Sequence, residues 1–483
     1  MDLRTELVET HVSSLFFVGD RVYKAKKPIV TPFSDFTTVT ARGVGCQREV
    51  ELNRRLAPDV YLGVADVTMD GTTIDHLVVM KRLPEERRLA HRLGLPGALD
   101  DLRHIAHLVA TFHAANQRSA EVDRASDHDA VARLWESGID QTASYAGTVL
   151  DAVDVAEVAG LARGYLDGRG PLFEQRVRSG HAVDGHGDLQ AEDIFCLDDG
   201  PRILDCLEFD DTLRFGDAAN DVAFLAMDLE RLGHPELAEA FLARYRELTE
   251  DHWPTSLTHF YIAYRSHVRA KVACIRHDQG DPDAAATAAA LHSLALAHLR
   301  AAEPLLVIVG GSPGTGKSTL ARVLAAQLEA VRLSTDEIRD DLFPRADTPM
   351  SPDGIGAGRY RPELVARTYD QLLAEAEVLV GLGERVVLDA SWVSVPQRQR
   401  VREIATRSAT RMIELRCDCP PEVAAERIER RARLGTDPSE ATAAVADRLA
   451  ATMDPWPEAT VIDTGAPVAG ALAAAAHAVA AGR

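Results

Sequence analysis

Residues 305–318 read Leu305-Leu-Val-Ile-Val-Gly310-Gly311-Ser-Pro-Gly-Thr-Gly316-Lys317-Ser318. An apolar, β-prone run is followed by a glycine-rich loop, and the residues after Lys317 have the spacing of a helix. Strand, loop and helix in this order are the context that the phosphate-loop motif Gly-x4-Gly-Lys-Ser requires. Its glycines let backbone N–H groups point at phosphate oxygens, and the helix adds its positive end. The stretch therefore predicts a nucleotide-binding α/β domain.

The end of this loop indicates the cofactors. Lys317 is expected to place an ammonium on the β- and γ-phosphates and so to take part in catalysis, and the Ser318 hydroxyl is expected to ligate magnesium. We therefore expect ATP and Mg²⁺. The predicted nucleotide-binding residues of the loop are Gly311, Ser312, Pro313, Gly314, Thr315, Gly316, Lys317, Ser318 and Thr319.

Strand and helix patterns alternate after the loop, which favours a parallel sheet. Strands are expected at 331–333, 385–388, 411–415 and 460–462, and helices at 318–329, 363–382, 396–408 and 420–433. An Ala-rich helix at 281–302 precedes the first strand. We therefore divide the chain into domains at 1–302 and 303–483.

Two carboxylates follow predicted strands of this domain. Asp336 stands where α/β active sites lie, with Arg339 three residues later on the same side of a first helical turn. Asp336 is expected to take the acceptor hydroxyl's proton, and Arg339 to hold an anionic group nearby. A helix cap by Thr335 or Asp336 is the alternative. Asp389 ends the strand 385–388 and is the candidate carboxylate for magnesium.

Arginines crowd two later helices. They are Arg398, Arg400 and Arg402, then Arg427, Arg430, Arg431 and Arg433 before Asp437. An arginine run is usually a solvated face, and the second group alternatively forms a lid over the nucleotide.

Residues 304–465 resemble small P-loop kinases of the predicted-kinase group. The pair Asp336 and Arg339 is similar to the hydroxyl-acceptor motif of polynucleotide 5′-hydroxyl kinases. This resemblance implies phosphoryl transfer from ATP to a hydroxyl group, and it leaves the acceptor open.

A second set of carboxylates lies upstream. The segment His186-Gly187-Asp188-Leu189 is followed by Asp193 five residues after Asp188 and by Asp205 twelve residues after Asp193. A base followed by two metal ligands at this spacing is typical of protein-kinase-like sites. Asp188 is expected to accept the substrate's proton, and Asp193 and Asp205 to hold magnesium. The alternative is a polar hairpin with surface carboxylates.

A short strand near the N-terminus carries two lysines. Val22, Lys24 and Lys26 share one strand face by period two, and an ammonium there would bridge the nucleotide phosphates. We favour Lys24, because Val22 would line the adenine, and Lys26 stays a candidate. Glu49 on the next helix is the expected carboxylate partner.

Residues 8–300 resemble the aminoglycoside phosphotransferase family of kinase-like proteins. The resemblance implies an α+β fold of two lobes, a small lobe at 1–83 and a large lobe at 84–302. It also implies that Asp221 braces the catalytic loop. The sequence departs from the family at Asp193, where asparagine is usual, and it has no glycine-rich loop.

One long helix of this half carries a basic cluster, Arg265, His267, Arg269 and Lys271. It is either a paired, solvated face or a surface that holds an anionic substrate at the mouth of the cleft.

Bulk properties narrow the classes of function. The chain has 483 residues, a net charge of −21 and only six lysines, so the lysines at 24, 26 and 317 are candidates for special roles. The negative charge disfavours nucleic-acid binding. No apolar run reaches the roughly 18 residues of a membrane span, and neither a signal peptide nor a cysteine framework is visible, so a cytoplasmic location is expected.

These patterns predict a fusion of two ATP-dependent kinase domains that act on small-molecule hydroxyl acceptors. Two alternatives stay open: a regulatory protein whose N-terminal half binds nucleotide without transfer, and a nucleic-acid 5′-hydroxyl kinase. The oligomeric state is not specified by the sequence.

Overall fold

A computed structural model describes residues 6–10, 12–30, 35–116, 118–344, 358–434, 443–465 and 467–481. The chain divides into two units. The N-terminal unit comprises Met1–Ala159, Phe173–Trp253 and Leu257–Leu299, and the C-terminal unit comprises Gly160–Leu172, Pro254–Ser256 and Arg300–Arg483.

The N-terminal unit begins with an antiparallel sheet and one helix. The strands are β1 (Glu6–Glu9), β2 (Ser13–Val18), β3 (Arg21–Lys26), β4 (Tyr61–Met69) and β5 (Thr72–Lys81), and the helix is α1 (Val39–Asn53). The sheet order is β1-β2-β3-β5-β4. Apolar residues of β3, α1 and β5, among them Val22, Val50 and Val78, form a shared core. This core fixes α1 against the strand that carries the two lysines.

The rest of the chain up to residue 302 is mainly helical. The helices are α2 (Leu89–Arg92), α3 (Ala98–Ala114), α4 (Ala120–Ala125), α5 (His128–Ala143), α6 (Ala152–Asp167), α7 (Gly170–Arg178), α8 (Asp211–Arg214), α9 (Ala218–Arg231), α10 (Pro235–Thr249), α11 (Thr255–Asp278) and α12 (Ala284–Ala302). Two antiparallel ribbons accompany them: β6 (Ala182–Asp184) with β9 (Phe215–Asp217), and β7 (Ile194–Leu197) with β8 (Gly200–Ile203).

The C-terminal unit contains a fully parallel sheet. Its strands are β10 (Leu305–Gly310), β11 (Val331–Ser334), β12 (Val386–Asp389), β13 (Arg411–Asp418) and β14 (Thr460–Asp463), in the order β11-β12-β10-β13-β14. Its helices are α13 (Lys317–Gln327), α14 (Thr335–Leu342), α15 (Pro362–Gly381), α16 (Val395–Arg407), α17 (Pro421–Leu434), α18 (Ala443–Thr452) and α19 (Val468–Ala481).

The central strand of this sheet is buried on both faces. Leu306 and Ile308 belong to one apolar core, whereas Leu305, Val307 and Val309 belong to another. Alternate residues of a strand point to opposite faces, so helices cover both sides, as an all-parallel sheet requires. The phosphate loop leaves β10 at the point where the strand order reverses, which is where ligands bind in open α/β sheets.

The predicted fold class, an α+β kinase-like half followed by a parallel α/β domain, is confirmed. The sequence pattern of residues 202–207 favours a strand, but only its first part is one, because β8 ends at Ile203. Two residues later Asp205 has φ of +63°, a left-handed conformation that cannot continue a strand. The short strands β1, β6 and β9 were not predicted.

No helix in the described ranges is long and apolar enough to span a membrane. All six cysteines lie within those ranges, and none of them forms a disulfide.

Candidate active sites

The phosphate loop has the backbone that its glycines predict. Gly311, Gly314 and Gly316 have φ of +140°, +85° and +82°, which other residues rarely adopt. A Cβ atom added to Gly314 would lie 2.6 Å from the carbonyl oxygen of Ala424. The loop therefore tolerates no side chain there, and α13 begins directly after it at Lys317.

Arg427 braces this loop through a threonine. Its Nη2 donates a hydrogen bond of 2.8 Å to the carbonyl oxygen of Thr464. The hydroxyl of Thr464 in turn donates to the carbonyl oxygen of Thr315 inside the loop. Arg427 thus lies at the phosphate loop, whereas Arg430 and Arg433 of the same helix are exposed. Asp437, which follows these arginines, lies outside the described residues.

The candidate magnesium ligands meet at the end of the loop. The hydroxyl of Ser318 donates to Oδ1 of Asp389 over 3.2 Å. Asp389 is buried, and its burial raises the pKa of the carboxyl although the charge of Lys317 lowers it. A hydroxyl beside a carboxylate, next to the loop that would hold the phosphates, is a donor set that suits Mg²⁺. Arg332 also contacts Asp389, with 3.2 Å between Nη1 and Oδ2.

The acceptor-side pair is formed as predicted by the helical spacing. Nη1 of Arg339 donates to Oδ1 of Asp336 over 2.6 Å. The alternative that Thr335 or Asp336 caps α14 is wrong, because the side chain of Ser334 accepts the hydrogen bond from the backbone N–H of Asp336. Burial acts to raise the pKa of Asp336, but the charges of Lys317 and Arg339 outweigh it and hold that pKa below its ordinary value. Asp336 is therefore an ionised carboxylate at the phosphate loop.

The arginines of α16 do not form a solvated face throughout. Arg398 is buried, and its guanidinium donates to the carbonyl oxygens of Trp392 and Pro455, both over 2.8 Å. Arg402 pairs with Glu414, with 2.7 Å between Nε and Oε1. The prediction of a surface run is thus wrong for Arg398, which ties two chain segments together through backbone carbonyls.

In the N-terminal unit both candidate lysines contact the predicted glutamate. Nζ of Lys24 lies 2.9 Å from Oε1 of Glu49, and Nζ of Lys26 lies 2.7 Å from Oε2 of the same carboxylate. Lys24 also pairs with Asp205 at 2.5 Å, whereas Lys26 pairs with Glu208 at 2.6 Å. Lys24 is therefore the lysine beside a candidate metal ligand. Lys26 is more deeply buried and is paired with two carboxylates. Glu208 was missed as a partner, although it follows Asp205 by only three residues.

The hairpin of β7 and β8 explains how residues twelve apart approach one another. Ile194 pairs with Ile203, and the backbone N–H of Leu204 donates to the carbonyl oxygen of Asp193 over 2.9 Å. Asp193 and Asp205 thus flank one end of this ribbon. Within the described ranges, no three His, Cys, Asp or Glu side chains stand close enough to hold a metal ion by themselves. Two carboxylates completed by nucleotide phosphates are the donor set that Mg²⁺ usually takes, and these two residues fit it.

The three predicted carboxylates differ in charge state. The ammonium of Lys24 holds the pKa of Asp205 below its ordinary value. Burial, together with the charges of Asp205 and Asp188, raises the pKa of Asp193 well above its ordinary value. Burial also raises the pKa of Asp188 to about 6, although the charge of Arg269 acts in the opposite direction. Without a metal ion, Asp188 and Asp193 therefore bind protons more readily than ordinary aspartates do.

Asp221 holds the catalytic loop from behind. Its carboxylate accepts hydrogen bonds from the backbone N–H groups of His186 and Gly187, both 2.8 Å long. The ring of His113 lies 3.0 Å from the same carboxylate. Asp221 is buried and does not face a substrate, so its geometry is that of a brace. His113 could not be found from the sequence, because it lies 108 residues away on another helix.

The basic cluster of α11 divides over two faces. Arg265 and Arg269 are four residues apart and share one face, whereas His267 and Lys271 share another. Arg265 is buried and donates to the carbonyl oxygens of Gly187 and Asn220, each over 3.2 Å. His267 is buried and stacks on Trp135, with ring centroids 5.3 Å apart. Neither of these two residues lies in a solvated face.

Parts of the chain are similar to known proteins. The model of the family described as "AAA domain" matches residues 306–456. A solved choline/ethanolamine kinase family protein from Mesorhizobium loti is 15% identical, covers 61% of this chain and 92% of its own, and has a TM-score of 0.38. A gluconokinase from Sinorhizobium meliloti is 18% identical, covers 37% of this chain and 92% of its own, and has a TM-score of 0.27.

Relatives of nearly the same length exist in mycobacteria. Uncharacterized proteins of Mycobacterium tuberculosis (strain H37Rv) and Mycobacterium bovis are each 42% identical over 464 residues, which is 95% of this chain and 92% of theirs. The chain belongs to the family of these mycobacterial proteins, and its C-terminal part carries a P-loop domain of the kinase type.

Proposed function

We propose that the chain is an ATP- and magnesium-dependent kinase with two transfer sites, each acting on a hydroxyl group of a small molecule. The observation that carries this proposal is the grouping around Lys317. One loop is flanked by a hydroxyl–carboxylate pair suited to Mg²⁺, Ser318 with Asp389, and by an ionised carboxylate with its arginine, Asp336 with Arg339. An ionised carboxylate that an arginine holds beside the loop can accept the proton of an acceptor hydroxyl, which supports transfer to an alcohol.

The residues of the C-terminal site would have different roles in one phosphoryl transfer. Backbone N–H groups of the loop and Lys317 would hold the phosphates of ATP. Magnesium, held by Ser318 and Asp389, would offset the charge of the phosphate oxygens. Asp336 would accept the proton of the acceptor hydroxyl while its oxygen bonds to the γ-phosphorus and ADP leaves. Arg339 fixes the carboxylate of Asp336 and would face the acceptor.

The N-terminal site is proposed to catalyse the same phosphoryl transfer with a different set of residues. Lys24, oriented by Glu49, would contact the phosphates, and Asp193 and Asp205 would hold magnesium. Asp188 would accept the proton of the hydroxyl group. One observation supports the alternative that this half only binds nucleotide: Asp193 replaces the asparagine usual in the family that it resembles, and its raised pKa disfavours the charged form needed for a metal.

The decisive experiment is a transfer screen with γ-labelled ATP on the full chain. Four forms are compared: wild type, Lys317→Ala, Asp188→Asn and the double variant. The acceptors are aminoglycosides, sugars, nucleosides and 5′-hydroxyl oligonucleotides, the last of which tests the nucleic-acid end kinase that the net charge of −21 disfavours.

If both sites transfer phosphate, each single variant should lose transfer to one group of acceptors and keep transfer to the other group. The double variant should lose transfer to both groups. Arg322→Ala is the matched control, since Arg322 is exposed on the same helix as Lys317. Lys317→Ala should change stability by less than about 1 kcal/mol, because the substitution removes no packed group. Unchanged ATP turnover in Lys317→Ala would refute the C-terminal site, and transfer that depends on Lys317 alone would refute the N-terminal one.

A further inference from the structure

One face of α11 lies against the catalytic loop of the N-terminal unit. Nη1 of Arg265 donates to the carbonyl oxygen of Gly187 over 3.2 Å, and Gly187 directly precedes the candidate base Asp188. The guanidinium of Arg265 also donates through Nε to Asn220 and is buried. Arg265 thus holds the loop through Gly187, and it shows which face of α11 lies at the site.

The next residue on that face is Arg269. It follows Arg265 by four residues, so it lies one helical turn, about 5.4 Å, further along the same side. Its charge is the largest ionic influence on the pKa of Asp188 and lowers it against the effect of burial. Arg269 is partly exposed, and it forms no hydrogen bond or ion pair with any residue that the structure describes. A guanidinium beside the base is therefore available to a ligand.

Two acidic groups near Asp188 are, in contrast, already engaged. Asp205 is paired with Lys24 at 2.5 Å. Asp228 is buried, accepts a hydrogen bond of 2.9 Å from the N–H of Ala191 and pairs with Arg231. The guanidinium of Arg269 would repel a cationic acceptor beside the base, and neither Asp205 nor Asp228 has a free carboxylate to pair with it. For an anionic acceptor, the same guanidinium offers a planar fork of donors that matches carboxylate or phosphate.

We infer that the N-terminal site phosphorylates an alcohol that also carries an anionic group, a carboxylate or a phosphate, and that Arg269 binds that group. This inference rests on the proposed kinase function of the N-terminal site. In the transfer step the acceptor oxygen bonds to the γ-phosphorus, ADP leaves, and the hydroxyl proton passes to Asp188. Arg269 takes no part in bond making and acts as a specificity-determining residue.

The test uses the full chain carrying Lys317→Ala, so that only the N-terminal site turns over ATP. Acceptors are offered as matched sets: glycerol, glycerate and glycerol 3-phosphate, with choline and kanamycin as cationic members. Assays run at pH 8, which is well above the pKa of about 6 that Asp188 has beside Arg269, so that Asp188 is ionised in the parent chain. Arg269→Gln and Arg269→Lys are compared with Arg276→Gln, a control on the same helix whose arginine pairs with Asp281 at the surface.

We expect anionic acceptors to be preferred over glycerol, and the two anions to show whether carboxylate or phosphate is favoured. Arg269→Gln should raise the KM for the preferred anion roughly 10- to 100-fold, the loss expected for a charge-assisted hydrogen bond. The kcat and the KM for ATP should change little, and Arg269→Lys should restore part of the affinity. Preference for cationic acceptors, or an equal loss for glycerol and the anions in Arg269→Gln, would overturn the inference.

Calorimetry separates failure of this inference from failure of the kinase function. Glycerate and glycerol 3-phosphate are titrated into the Lys317→Ala chain saturated with ADP and magnesium, with and without Arg269→Gln. Binding that Arg269→Gln abolishes supports the anion site even if no transfer occurs, and transfer to no acceptor would refute the kinase function alone. Absence of binding that depends on Arg269 would overturn the anion site, whatever the transfer assay gives.

Discussion

Lys24 and Asp205 form an ion pair in which Nζ lies 2.5 Å from Oδ1. The lysine expected to contact phosphates and the carboxylate expected to hold magnesium are thus paired with each other. Both Lys24 and its neighbour Lys26 share the carboxylate of Glu49, so five charged groups form one chain that runs from Asp205 to Glu208. Magnesium and ATP must compete with this pairing, and the two lysines should respond differently when they are replaced.

Replacing each lysine by methionine should separate binding from stability. Lys26→Met removes a fully buried cation from two carboxylates and should cost about 3–5 kcal/mol, the usual loss on breaking a buried ion pair. Lys24→Met should cost about 1 kcal/mol, because Glu49 keeps Lys26 and the half-exposed Asp205 can be hydrated. Magnesium–ATP affinity should fall in Lys24→Met and persist in Lys26→Met. Thermal unfolding and calorimetry measure the two effects in the Lys317→Ala background.

Equal losses of nucleotide affinity in the two methionine variants would contradict the assignment of Lys24. Lys27→Met is the control, since Lys27 pairs with the exposed Glu9 and has no contact with Glu49.

Magnesium binding at the N-terminal site should release protons. Asp193 has a pKa well above its ordinary value, so it binds a proton more readily than an ordinary aspartate and must be deprotonated to ligate a metal. Asp193→Asn should keep nucleotide binding and release fewer protons. The number of protons released is measured by calorimetry at pH 7 in buffers of different ionisation enthalpy, again with the Lys317→Ala chain. The same proton release in both forms would show that Asp193 is not the protonated group.

The rate of transfer in Asp193→Asn decides between the two hypotheses for this half. A faster reaction indicates a kinase weakened by the aspartate, and a slower one indicates that Asp193 is a working ligand. No transfer in either form, together with intact binding, supports the regulatory alternative.

The two sites should differ in their dependence on pH. A base must be ionised to accept a proton, and burial raises the pKa of Asp188 to about 6. Transfer by the N-terminal site should therefore rise through pH 6 and level off above it. The pKa of Asp336 is below its ordinary value, so transfer by the C-terminal site should stay constant down to about pH 4, near the ordinary aspartate pKa. Profiles of kcat in Lys317→Ala and Asp188→Asn test this, and a shared midpoint would contradict it.

Two carboxylates of the C-terminal site should give different kinetic losses. Asp336→Asn should slow transfer roughly a hundred- to ten-thousandfold with little change in ATP affinity, as expected for a positioned base. Asp389→Asn should instead raise the magnesium concentration needed for half-maximal rate, because Asp389 contacts Ser318 at the loop. Asp370→Asn, which alters an exposed partner of Arg400, is the control. An equal loss of nucleotide affinity in Asp336→Asn would place Asp336 on the metal.

Local sequence predicted strands and contacts correctly where the residues involved lie close together in the chain. The alternating pattern of Arg21–Lys26 predicted β3 and its buried face, and the spacing of Asp336 and Arg339 predicted their contact on one helical turn. Contacts between distant segments were harder. Arg398 looked like part of a surface run, because nothing near it in sequence indicates that it donates to the carbonyl oxygen of Pro455.

The phosphate loop and the parallel sheet around it follow from local sequence, because the glycines that need positive φ and the alternating strand and helix patterns each lie within a short stretch. The spacing of Asp188, Asp193 and Asp205 also indicated one site. Which of these groups are charged and which are free depends on the tertiary structure. Long-range packing partly buries Asp188 and Asp193, pairs Asp205 with Lys24 and leaves Arg269 without a hydrogen bond or ion pair to any described residue. Burial and ion pairing depend on segments that meet only when the chain folds.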